Sequence, residues 1–168
     1  MLVRSDCPLV ESSQPRSFAG LMEIYEANYM RFRRLCPVQY HVGDGAVSRV
    51  GSGLDLHLTI LERSSYTTTA HLTYYLKEGA EAICPNPDLR LRVYYDALQV
   101  EVLSCASGYL REKTYVQRVN WRTELAGKWS MNSFLHKWLG YCLSQGHMFS
   151  SNEIHPQQRY HRSLNSIV

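Results

Sequence analysis

LDLHLTILE at residues 54–62 and TTTAHLTYYL at residues 67–76 decide how this chain folds. Apolar side chains fall on alternate positions in both stretches, and successive side chains of a strand point to opposite sheet faces. Leu54, Leu56, Leu58 and Ile60 therefore share one face, with Asp55, His57 and Thr59 on the other. Ala70, Leu72, Tyr74 and Leu76 form the inward set of the second stretch, and Thr69, His71, Thr73 and Tyr75 the outward set. Both inward sets carry even numbers, so paired residue numbers must sum to an even value; an odd sum would put one apolar set in water. A three-residue loop at Arg63, Ser64 and Ser65 pairs Glu62 with Tyr66 and sets His57 opposite His71. A five-residue loop pairs His57 with Thr73 instead.

The alternation resumes further on. Residues 77–88 contain Gly79, Pro85 and Pro87 and read as a loop. Leu89, Leu91, Val93 and Tyr95 then turn inward, while Arg90, Arg92 and Tyr94 face out. Asp96 and Ala97 mark a tight turn into a strand whose inward set is Leu98, Val100 and Val102. Pairing Tyr95 with Leu98 places Arg92 opposite Glu101, an exposed cross-strand pair of about 0.2–1 kcal/mol. Residues 46–50 fit a short edge strand between glycines, and residues 109–116 a further strand of poorer alternation.

Helical spacing flanks the strands. Phe18, Leu21, Met22, Tyr25, Tyr29, Phe32 and Cys36 fall on one stripe, with Ser17 as N-cap and Pro37 as the stop. Met131, Phe134, Leu135, Trp138, Leu139 and Cys142 form a second stripe, with Asn132, Ser133, His136 and Gly140 largely opposite. Ser130 is placed to cap this helix and Gly146 to end it in a left-handed conformation. Residues 121–128 carry no clear period. One apolar sheet face and two apolar helix stripes are buried most simply as a two-layer α+β domain. It would have an antiparallel sheet of about five strands, with the N- and C-terminal helices packed on one face. The domain is expected over residues 17–149, between a flexible arm at 1–16 and a flexible tail at 150–168.

Composition bounds the function. The 168 residues are 45% hydrophobic and 20% charged, levels of a globular domain with a real core. The formal charge is +3, and residues 17–149 carry fourteen basic and twelve acidic side chains, which argues against a dedicated nucleic-acid binder. No apolar run approaches the roughly 18 residues of a membrane span, and residues 1–16 lack the apolar core of a signal peptide. Five cysteines, at 7, 36, 84, 105 and 142, show no CxxC or zinc-module spacing, so a reduced cytoplasmic setting is expected.

Several blocks carry a family likeness: Asn28 with Arg33, Arg34 and Leu35; Leu58, Thr59, Ile60 and Glu62; Tyr66, Thr67 and Thr68. Val93, Tyr94, Asp96, Ala97, Glu101 and Val102 continue it. Asn132, Phe134, Leu135, Trp138, Leu139, Tyr141, Cys142, Leu143 and Gly146 complete it. In this order and spacing, over about residues 18–149, they resemble the YqiB-like family of uncharacterised proteobacterial proteins. The resemblance brings no established activity, cofactor or catalytic residue. It implies genes that often neighbour those of nucleotide-hydrolysing enzymes, a pointer toward nucleotide metabolism or signalling.

Chemistry-bearing residues gather on the outward face: His57, His71, Thr73, Tyr75, Arg90, Arg92, Tyr94 and Glu101. In the three-residue-loop register, His57 and His71 with Asp55 or Glu101 would suit a divalent metal, against the plainer reading of two solvent-facing histidines. Arg90, Arg92, Tyr75 and Tyr94 would suit stacking and charge neutralisation of a nucleotide or a single strand. Arg31, Arg33 and Arg34 form a basic cluster at a helix end, where they complement the dipole, would meet an acidic partner, or would pair Arg33 with Glu62. Tyr66, Thr67, Thr68 and Thr69 are a hydroxyl-rich strand start. No GxSxG elbow, HExxH helix or Gly-rich phosphate loop is present. The expectation is a cytoplasmic binding or regulatory module that recognises a protein partner and needs no cofactor. The alternatives are a nucleotide-like small molecule, bound or turned over, and less favourably a single-stranded nucleic acid.

Overall fold

The strands of the computed structural model, which describes residues 16–37, 45–78, 82–106 and 124–149, follow the alternation closely. They are β1 (Gly45–Ser48), β2 (Leu56–Arg63), β3 (Thr67–Glu78), β4 (Ala82–Pro85), β5 (Asp88–Tyr94) and β6 (Gln99–Ala106). Helix α1 (Phe18–Leu35) precedes them and helix α2 (Leu125–Ser144) follows. All pairings are antiparallel, in the order β1-β2-β3-β5-β6, with β4 paired to the far end of β3. The fold is the expected α+β architecture, with a sheet and two terminal helices sharing one core. Strand β4 falls where a loop was expected. Its last residue, Pro85, sits opposite Tyr75 at the end of an edge strand, where a missing amide is tolerated. The strand expected at 109–116, the arm before Arg16 and the tail from residue 150 lie outside the described residues.

From Leu56 to Ile60 parity holds, in the register that a five-residue loop would set. Leu58 pairs with Leu72, His57 with Thr73 and Thr59 with His71. The register then shifts by one at Leu61, so Glu62 meets Thr69. A bulge there absorbs the odd residue while leaving the inward rows intact. In the second hairpin Arg92 lies opposite Glu101, as expected, and a second shift puts Ser104 opposite Arg90.

The inward residues Leu56, Leu58, Ala70, Leu72, Leu89, Leu91, Val93, Val100 and Val102 are buried with Tyr29, Phe32 and Leu35 of α1 and Leu135, Trp138 and Leu139 of α2. Three expected core members are exposed. Leu54 precedes the first paired residue of β2, and Leu98 sits in the β5–β6 turn at φ 53°. Phe18 is 69% exposed; Met22 already lies against Gln99, the first residue of β6, so the turn before it overhangs the sheet.

The helix ends follow local chemistry. Ser17 caps α1 by accepting the Gly20 amide at 3.0 Å. Helix α2 starts at Leu125 behind Glu124 rather than at Ser130. It ends as expected at Gly146, φ 89°, with the Gly146 amide on Leu143 and the His147 amide on Cys142, a Schellman closure. The chain then returns to α1, where the Phe149 amide donates to the Leu35 carbonyl at 2.7 Å. No described helix is long and apolar enough to cross a membrane.

Candidate functional site

Both helices pack on the inward face, which leaves the outward residues of β2, β3, β5 and β6 as a second surface. The register runs His57 against Thr73, His71 against Arg90, and Thr69 against Arg92 and then Glu101. Each expected site residue can be placed on this grid.

His57 meets the Tyr75 ring edge-on, with centroids 4.8 Å apart. Burial lowers the pKa of His57, favouring neutral imidazole. Tyr75 remains exposed. Thr73 is fully buried and donates its hydroxyl to the Tyr74 carbonyl at 2.8 Å, so it is not a contact residue. It is a short side chain on a central strand, opposite the larger His57 ring.

His71 holds Asp88, Nε2 to Oδ1 at 2.7 Å. The adopted register sets His57 and His71 on a diagonal, where neighbouring residues stand about 7–8 Å apart. Among the described residues no group of three His, Cys, Asp or Glu side chains is arranged to hold a metal ion. The side-by-side histidine pair is therefore replaced by a His–Asp contact between neighbouring strands.

Glu101 gathers contacts that sequence alone did not show. Its Oε1 accepts the Tyr94 hydroxyl at 2.6 Å. Its Oε2 accepts the Tyr25 hydroxyl of α1 at 3.4 Å and lies 3.6 Å from Lys128 Nζ of α2. Burial first, then the Glu101 charge, raises the Tyr25 pKa; burial and the bond to Glu101 raise that of Tyr94, with Arg92 pulling the other way. Arg92 faces Glu101 in the register but bonds through Nε to Thr69 Oγ1 at 3.4 Å. The expected Arg92–Glu101 pair is thus displaced by partners reaching round the β6 edge from both helices. Arg90, two residues along the same strand, is exposed.

The basic cluster divides. Arg31 lies in the helix–helix seam and donates to the His136 carbonyl. A Cβ at Gly140 would stand 2.6 Å from its guanidinium, so glycine makes room for it. Arg33 and Arg34 are exposed, and no Arg33–Glu62 pair forms. In the hydroxyl-rich stretch, Tyr66 is exposed, while buried Thr68 accepts the Tyr95 hydroxyl at 2.8 Å.

Two polar clusters went unread in the sequence. Asn28 and Asn132 are fully buried: Asn28 Nδ2 donates to the Asn132 carbonyl at 3.2 Å, Asn132 Oδ1 accepts the Val102 amide at 3.0 Å, and Asn132 Nδ2 donates to the Lys128 carbonyl at 2.8 Å. Asn28 Oδ1 and His136 Nδ1 are buried without a partner among the described residues. The placement of Asn132, three before Leu135 and seven before Leu139, borders the apolar stripe and was the available signal. The second cluster joins His147 Nδ1 to Ser48 Oγ at 3.2 Å, and that oxygen also accepts the Met148 amide at 3.1 Å. Burial lowers the His147 pKa. On the helix side, an apolar pocket lined by Phe32, Cys36, Leu58, Ala70 and Tyr95 has room for about one water. Burial pushes the Cys36 thiol up to about 12, far from a reactive thiolate.

A family described as protein of unknown function (DUF1249) matches residues 31–148. The chain belongs to this family. The YqiB-like resemblance read from the sequence is thereby established. The matched span runs from Arg31 in α1 to Met148 beyond α2 and so contains the whole outward face. The uncharacterized protein YqiB of Escherichia coli strain K12 is 32% identical over 136 residues, 78% of this chain and 91% of the relative. The YqiB proteins of the O6:H1 strain CFT073 and of O157:H7 match over the same length at the same identity. No solved structure gives a significant match.

Proposed function

We propose that the chain is a binding module whose outward sheet face recognises a protein partner. One observation carries this reading. Side chains of three neighbouring strands are fixed by bonds among themselves, His71 to Asp88, Arg92 to Thr69 and Tyr94 to Glu101, while Tyr75 and Arg90 stand exposed among them. Tyrosine and arginine are the side chains that most often anchor protein interfaces. Side chains already held in place lose little freedom on binding, so more of each contact survives as affinity. The surface is a sheet face rather than a deep cleft, which suits a protein better than a small molecule. The cytoplasm is the proposed setting, supported by Cys36, Cys105 and Cys142 as free thiols.

Site-specific photocrosslinking in bacterial cells tests the reading. p-Benzoylphenylalanine placed at Tyr75 is expected to yield discrete protein adducts that are missing when the same group is placed at Glu23, an exposed position on α1. Adducts of equal pattern at both positions, or none at Tyr75, refute a partner on the sheet face.

A further inference from the structure

Resting on that recognition reading, we infer that the partner presents an acidic segment and that Arg90 and Arg92 receive its carboxylates. The register sets two carboxylates beside these arginines: Asp88, two residues from Arg90 on β5, and Glu101, opposite Arg92 on β6. Both are already taken, Asp88 by His71 at 2.7 Å and Glu101 by Tyr94, Tyr25 and Lys128. Among the described residues neither Arg90 nor Arg92 has a carboxylate partner. Arg92 is held laterally by Thr69 Oγ1 at 3.4 Å, which orients its guanidinium without neutralising it. The second bulge sets Ser104 opposite exposed Arg90, where an unbroken register would set Leu103, so a small polar side chain flanks the guanidinium.

Two guanidinium groups of like charge are thereby left on alternate residues of one strand, about 7 Å apart along the chain. Arginine presents a planar fork of donors that matches a carboxylate two bonds at a time. Alternate residues of an extended polypeptide repeat at the same spacing, so carboxylates on every second residue of a partner segment meet both arginines at once. The same charges argue against a nucleic-acid strand. Phosphodiesters would bring a negative charge at every step toward Asp88 and Glu101, whereas a polypeptide can place neutral or basic side chains there. The Tyr94 hydroxyl is tied to Glu101, and the Tyr75 ring is in edge contact with His57, so neither tyrosine is arranged as a free stacking platform.

The test uses the full chain and a fluorescein-labelled peptide alternating Glu and Ser, read by fluorescence anisotropy across a salt series. Oligothymidylate of equal charge and a Lys–Ser peptide serve as comparators. Binding of the Glu–Ser peptide is expected, weakening with salt. It should fall by about tenfold or more in R90Q/R92Q, roughly the ratio of one lost charged contact. The R33Q/R34Q chain should bind like wild type, which separates a local effect from loss of net charge. Equal binding by R90Q/R92Q, or tighter binding of oligothymidylate than of the peptide, overturns the acidic-partner assignment. So do Tyr75 crosslinks that persist undiminished in R90Q/R92Q, and in that case the recognition reading still stands. Loss of Tyr75 crosslinks in the wild-type chain strikes the recognition reading itself.

Discussion

Asn132 Oδ1 accepts the backbone amide of Val102 at 3.0 Å, so a helix side chain occupies the outer edge of the last described strand. An unpaired strand edge is a template for unwanted pairing, and a buried one leaves amides without partners. Here the edge is closed by an asparagine that is also gripped by Asn28. Asn132→Ala strands the Val102 amide in a dry interior and is expected to cost about 2–3 kcal/mol of unfolding free energy. Urea unfolding measures the loss, and hydrogen exchange at the Val102 amide should accelerate with it. A change below about 0.5 kcal/mol, the size of an ordinary surface substitution, contradicts the role.

Gly140 and Arg31 should behave as a coupled pair. Replacing a glycine inside a helix with alanine usually gains about 1 kcal/mol. Here the added methyl stands 2.6 Å from the Arg31 guanidinium, which bonds the His136 carbonyl. Gly140→Ala is therefore expected to bring no gain in the wild-type chain and a gain of about 0.5–1 kcal/mol in an Arg31→Ala background. A double-mutant cycle by chemical denaturation reads the difference; additive effects would remove the steric argument.

Acid should loosen the segment that follows α2. His147 is buried against Ser48, near Tyr74 and Cys142, and its pKa is held below the usual 6.5 by burial, outweighing the opposing pull of Asp55. A histidine whose folded pKa is lowered binds its proton more readily in the unfolded chain. Its contribution is thus complete above pH 6.5 and is lost as pH falls from there toward the lowered folded value. His147→Asn keeps an acceptor for the Ser48 hydroxyl and removes the titration. Its stability should fall less than that of the wild type between about pH 7.5 and about pH 5, with His57 and His136 accounting for part of the remaining slope. Parallel curves for the two chains would exclude His147 as a source of acid sensitivity.

Zinc should leave the chain unmoved. His71 is committed to Asp88, and His57 stands on a diagonal from it. Melting curves with and without added Zn²⁺ are expected to coincide, and Asp88→Asn should cost no more than about 1 kcal/mol, as for other partly exposed ion pairs. A zinc-dependent rise in Tm that His71→Ala abolishes would show that the two imidazoles do converge.

Much of this architecture was legible because a strand has a period of two and a helix one of 3.6. The shared inward face of Leu58 and Leu72, Arg92 against Glu101, the Ser17 cap and the left-handed Gly146 all follow from local rules. The site was harder to read. Parity says that Glu101 faces outward, but its partners Tyr25 and Lys128 come from helices remote in sequence and lean round an edge. The bulge at Leu61 moves the pairing by one residue without any mark in hydropathy; without it the Glu62–Thr69 register would carry His57 to Tyr74 instead of Thr73. Asn132 and Gly140 were placed on the water side of α2 because small polar residues look alike whether they face solvent or a second helix. Strand β4 was hidden by Pro85 within it and Pro87 just beyond it, which composition reads as loop.

The bond from the Phe149 amide to the Leu35 carbonyl closes the first helix with a residue made after the last described helix. A growing polypeptide leaves the ribosome amino end first. The Leu35 carbonyl at the end of the opening helix therefore has to wait for this partner until Phe149 has been synthesised. Closure of the first helix by the segment after the second is for that reason a late step in the making of this chain.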